Sequence, residues 1–168
     1  MGLEKSLMAL KRYFSGKRNC LISNVLVAID GSENSAKALD FALDLAEKYA
    51  AKVSILNVFE SPAMGVIPQA AGYFGDNMPV FAGELTKFHE EILAKALNRA
   101  KEIKPNLEIS TALRDGDPAV EIVAMAKDEG FDVIVVAHRG VGRVSKVLLG
   151  SVSEKVARLA SCPVIIVR

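Results

Sequence analysis

The chain has 168 residues, about half of them hydrophobic, and a formal net charge of +1. That length suits one domain with a full core, the apolar content excludes a disordered chain, and the near-balanced charge argues against bulk electrostatic binding of nucleic acid. The balance hides an asymmetry: residues 1–20 carry Lys5, Lys11, Arg12, Lys17 and Arg18 against Glu4, a net +4, so the remainder sums to −3.

Residues 1–22 stand apart as an N-terminal extension. Leu3, Leu7, Leu10 and Phe14 fall on one helical stripe with Lys5, Lys11 and Arg12 away from it. The pattern predicts a short basic amphipathic helix. Packing on its own domain or on a protein partner is favoured over a membrane contact by residues 3–14. The opening MGLEKS also fits the six-residue myristoylation pattern, a weak match.

The domain spans 23–168. VLVAI, 25–29, is an apolar run suited to a strand buried on both faces. It ends at Asp30-Gly31-Ser32, where Ser32 can cap the next helix. Leu39, Leu43, Ala46 and Ala50 recur at helical spacing and predict a helix over 33–50. KVSILNV, 52–58, is the second strand. Residues 60–83 contain three prolines and four glycines and predict a long loop, read either as a surface insertion or as a lid. Helical character returns from Glu84 to about Ile103, and LEISTAL, 107–113, is the third strand. Gly116-Asp117-Pro118 opens a helix over 119–129, with Pro118 in its first turn and Asp117 aiding it electrostatically. FDVIVVA, 131–137, is the fourth strand; a helix over 152–160 and the strand PVIIV, 163–167, complete the chain.

This alternation predicts right-handed crossovers and a doubly wound α/β domain: a five-stranded parallel sheet, order 3-2-1-4-5, with helices on both faces. Ligands in such sheets sit beyond the carboxyl ends of the strands. Order 3-2-1-4-5 makes the first and fourth strands neighbours, so the turns after them, Asp30-Gly31-Ser32 and 138–151, face one crevice.

The stretch 137–156, AHRGVGRVSKVLLGSVSEKV, has the parts of a phosphate cradle. Gly140 and Gly142 permit close backbone approach, Arg139, Arg143 and Lys146 supply positive charge, and Gly150-Ser151 stands at a helix start that offers N–H groups and a dipole end. Ser151 to Glu154 fits the capping-box pattern, so Ser151 can equally serve its own helix. No Walker loop and no dinucleotide fingerprint is present. Cys20 and Cys162 form no metal-spaced cluster, His89 and His138 lack ligand spacing, and no structural metal is expected. Cys162 reads as a small packed hydrophobe. No run of about 18 apolar residues occurs, and no apolar signal core precedes the domain, so the default address is the cytoplasm.

These residues resemble the universal stress protein family. The signature Gly-x2-Gly-x9-Gly-Ser/Thr is matched by Gly140, nine intervening residues and Gly150-Ser151, with Ala137 in place of the first glycine. VLVAIDGSENSAKAL, GDPAVEIVAMAKDEGFDVIVVA and SCPVIIVR extend the resemblance over about 23–168. It implies an adenine nucleotide hydrolase-like fold and the ATP-binding subclass, with ATP, ADP or AMP in the crevice and Mg or Mn on the phosphates where a metal is bound. Ala28 and Asp30 match positions near adenine and ribose, and Val58 a position lining the adenine pocket. Val136, Ala137, His138, Arg139, Gly140 and Gly142 match the loop around ribose and phosphates. Gly150, Ser151 and Val152 match the phosphate-binding helix start. A methyl at Ala137 is expected to weaken binding without abolishing it. The resemblance also implies a homodimer through strand 163–167, whose apolar edge invites pairing.

No positioned base, water and metal set declares itself for hydrolysis. His138 reads as a solvated turn residue in preference to a base. The leading expectation is a nucleotide-binding regulatory module acting on a protein partner. The alternatives are a slow ATPase switch and a dimeric scaffold that binds no nucleotide.

Overall fold

The computed structural model describes residues 22–61, 78–139 and 150–168. The N-terminal extension before residue 22, most of the 60–83 loop, and Gly140, Gly142, Arg143 and Lys146 lie outside the described residues. The elements are β1 (Asn24–Ile29), α1 (Glu33–Tyr49), β2 (Lys52–Phe59), α2 (Met78–Ile103), β3 (Ile109–Asp115), α3 (Pro118–Asp128), β4 (Val133–Ala137), α4 (Ser151–Leu159) and β5 (Val164–Val167).

The five strands pair in the order β3-β2-β1-β4-β5, all parallel. The expected topology is therefore found. Alternate residues of the central strands feed two cores. Val25, Val27, Val53 and Ile55 meet Leu39, Leu43 and Ala46 of α1 and Leu93 and Ala100 of α2. Leu26, Leu56, Ile134 and Val136 meet Ile122, Met125 and Ala126 of α3 and Val156 of α4. Cys162 is half-buried against this second core, and burial raises the pKa of its thiol. Burial on both faces explains why β1 and β4 read as unbroken apolar runs. Asp132 ties their starts together, its Oδ2 accepting from the N–H groups of Ser23 at 2.7 Å and Asn24 at 2.9 Å.

Several boundaries differ from the sequence expectation, β4 for example starting at Val133 in place of Phe131. Helix α2 begins at Met78, not Glu84, because Pro79 falls in a first turn that needs no N–H from it. Strand β3 is shifted two residues onward; Leu107 is used in a turn, its N–H donating to Lys104 O at 3.2 Å, while Asp115 still pairs with Phe59. Helix α4 starts at Ser151, with Gly150 as its cap and no side-chain cap bond. The expected capping box is thus not formed. Ser151 already lies inside the helix, because the Gly150 N–H closes onto His138 O at 2.8 Å.

Ser32 caps α1 as expected, its Oγ accepting from Ser35 N–H at 3.1 Å. Ser32→Ala is expected to lower unfolding free energy by about 1 kcal/mol, measured by urea denaturation.

Candidate functional site

A cavity of about 490 Å³ lies beyond the carboxyl end of β2, within the usual size of small-molecule sites. Its apolar end is made by Val58 and Phe59, with Glu60 at the strand exit and His89 from α2. Its other side is made by the first residues of α3, Pro118 and Ala119 with the cap Asp117, and by Ser151, Val152 and Lys155 of α4. Two helix N-termini thus converge on one space.

These N-termini are not equivalent. That of α3 is closed by a carboxylate: Asp117 Oδ1 accepts from Val120 N–H at 3.0 Å, and Asp117 Oδ2 accepts from Lys155 Nζ at 2.7 Å. Asp117 therefore does more than assist electrostatically; it is a hydrogen-bonding cap and an ion-pair partner. That of α4 has a glycine cap with no side-chain cap bond, so no side chain of the cap neutralises its positive dipole end, and its first residues Ser151 and Val152 line the cavity. Ser151 and Val152 are exposed there.

Gly150 has an ordinary φ of −66°, yet a side chain there would be tight. A Cβ built there would lie 3.1 Å from His138 O and 3.3 Å from Arg139 Cα, both backbone atoms. Ser153, buried beneath, donates its Oγ to Gly150 O at 2.9 Å and His138 O at 3.1 Å. His138 N–H donates to Val167 O at 2.7 Å. The two ends of the segment between 139 and 150 are therefore clamped together beside β5. His138 is not the solvated turn residue expected: it is half-buried, and its Nδ1 is buried with no partner among the described residues.

Of the sequence-derived site residues, Val58, Ser151 and Val152 line the cavity. Ala28 and Val136 lie on the same face of the sheet, in the core shared with Val58. Ala137 packs on the opposite face, toward the α1 core, so its methyl is directed into that core and not into the cavity. Asp30, His138, Arg139 and Gly150 do not line it. Asp30 Oδ1 accepts from Ser32 N–H at 3.0 Å, a turn bond that engages one of its two oxygens. Gly31 between them has φ +81°. Sequence reasoning missed His89, Phe59, Glu60 and Lys155. The only available signal for the α3 side was the strand-to-helix turn Gly116-Asp117-Pro118.

The hydrogen bond from Lys155, then that from the Val120 N–H, holds the Asp117 carboxyl below its ordinary pKa. A depressed folded-state pKa contributes stability above the unfolded value, and that stability is lost as pH falls through the folded one. Asp117→Asn keeps an acceptor for Val120 N–H but removes the charge. Its stability deficit is expected at neutral pH and should shrink below about pH 4, read from denaturation midpoints across a pH series.

Residues 22–168 match the model of the Universal stress protein family. The chain is 39% identical over 153 residues to Universal stress protein YxiE of Bacillus subtilis, covering 88% of this chain and 100% of that one. It is similar in structure to UspA from Lactobacillus plantarum, with a TM-score of 0.72 at 24% identity over 88% of this chain and 98% of the other. A universal stress protein solved in complex with cAMP aligns with a TM-score of 0.63 at 29% identity, over 88% of this chain and 98% of that one. With the parallel sheet, its strand order and the cavity beyond β2, these matches show that the chain belongs to the universal stress protein family.

Proposed function

We propose that the chain is an adenine-nucleotide-binding regulatory module that takes ATP in the cavity beyond β2. The observation that carries this reading is that the start of α4, which has no side-chain cap bond, and the apolar Val58 and Phe59 line one cavity. One end suits phosphates; the other, at Val58 and Phe59, suits a base. The relative solved with cAMP supports the same ligand class. Among the described residues no cluster of three or more His, Cys, Asp or Glu is placed to hold a metal ion, so Mg or Mn would arrive on the phosphates. The bound nucleotide alters an interaction with a protein partner, and any hydrolysis is slow or partner-dependent.

The module acts as a homodimer through β5. That strand lies at the sheet edge, and its four residues are each only half-buried. An exposed apolar edge favours pairing with a second copy. Light scattering is expected to give twice the chain mass; a monomer at all concentrations would contradict the pairing. Among the described residues no helix is long and apolar enough to cross a membrane.

The binding reading is tested by calorimetric titration with ATP, ADP and AMP, with and without Mg²⁺, while ADP formation is followed separately. Saturable, equimolar uptake with little turnover is the expected result. Sustained turnover would favour the ATPase switch, and absence of binding the scaffold.

A further inference from the structure

Asn57 stands in the apolar strand KVSILNVF and is fully buried. A buried amide needs its partners. Its Nδ2 donates to Ile29 O at 2.8 Å, across the carboxyl ends of β1 and β2. A backbone carbonyl only accepts, so the amide nitrogen is fixed on that side and Oδ1 is turned to α2. There it meets His89 Nδ1 at 2.7 Å. Because Oδ1 also only accepts, Nδ1 must carry the proton. The ring is held by Phe59, stacked at 4.9 Å and 16°, and by Phe88, edge-on at 5.4 Å and 86°. Burial lowers the pKa of the imidazole, which favours the neutral form. Nε2, across the ring from Asn57, is then a lone-pair acceptor on a residue that lines the cavity beside Val58 and Phe59.

Resting on the nucleotide reading above, we propose that His89 is a specificity-determining residue: Nε2 accepts a hydrogen bond from the exocyclic amine of the base and so selects a 6-aminopurine over a 6-oxopurine. A 6-oxopurine would set its carbonyl oxygen against Nε2, two acceptors face to face beside Val58 and Phe59. A site built to satisfy a polar group rejects the ligand that leaves it unpaired. Asn57 is the positioning residue, since its Oδ1 keeps the proton of His89 on Nδ1.

The test compares dissociation constants for ATP, ITP and purine riboside triphosphate, which has only hydrogen at C6. The wild type is expected to favour ATP over ITP by about tenfold or more, with the 6-hydrogen analogue between them. His89→Phe retains an aromatic ring against Phe59 and should bring the ATP-to-ITP ratio close to unity, chiefly by weakening ATP. Should that variant fold poorly, nitrogen-15 NMR of the wild type decides: His89 must show a protonated Nδ1 and an unprotonated Nε2 whose resonance moves with ATP. An unchanged ratio in folded His89→Phe, or a protonated Nε2 in the neutral ring, overturns the assignment while leaving nucleotide binding intact. Failure of the wild type to bind any of the three overturns the nucleotide reading itself, and this inference with it.

Discussion

Ser151→Glu is expected to weaken adenine-nucleotide binding by about a hundredfold or more while leaving the fold intact. A carboxylate at the first residue of α4 would face the phosphates at the helix start proposed to hold them, and like charges brought together cost several kcal/mol. The same carboxylate suits the positive end of the helix dipole, and Ser151 is exposed. Thermal stability should therefore hold or rise slightly as affinity collapses. That opposition separates a direct effect from unfolding. Gly150→Asp would be less informative, because a Cβ at residue 150 would lie 3.1 Å from His138 O and so mixes a packing change with the charge. Calorimetry beside a thermal melt reads both quantities; equal ATP affinity in Ser151→Glu and wild type would remove the phosphates from this helix.

Asn57→Leu should produce the opposite pattern, a large loss of stability. The substitution is close in volume but leaves Ile29 O and the Nδ1–H of His89 without the partners they have at 2.8 Å and 2.7 Å. Each orphaned group costs about 1–3 kcal/mol, so unfolding free energy should fall by about 3 kcal/mol. The damage reaches the turn after β1 as well. A Cβ built at Gly31 would lie 3.1 Å from Ile92 Cδ1, so α2 packs on that turn one helical turn beyond His89. Chemical denaturation measures the effect; a change below about 1 kcal/mol would mean that the amide contributes little net.

Much of the architecture was legible because it follows from local chemistry. The unbroken runs in β1 and β4, separated by amphipathic helices, admit few arrangements other than a covered parallel sheet. Ser32 as a cap and Pro118 in a first turn were readable from position alone. The start of α2 was not, because Pro79 in a first turn and a proline in a loop look alike in sequence. Half of the site was legible for the same reason: Gly150-Ser151 announces a helix start. The other half depends on contacts distant in sequence. Asn57 and His89 are separated by 32 positions and meet across a strand and a helix. Lys155 reaches Asp117 across 38. The side on which Ala137 places its methyl depends on the register of β4, where Val136 faces one core and Ala137 the other.

The proposed function requires that the cavity beyond β2 take an adenine nucleotide. The most direct measurement is to denature freshly purified protein and identify any released nucleotide by chromatography and mass, with uptake of added ATP measured on the emptied protein. Release of an adenine nucleotide, or saturable equimolar uptake of added ATP that Ser151→Glu loses, is the predicted result. A protein that releases no nucleotide and ignores ATP even in large excess would contradict the proposed function.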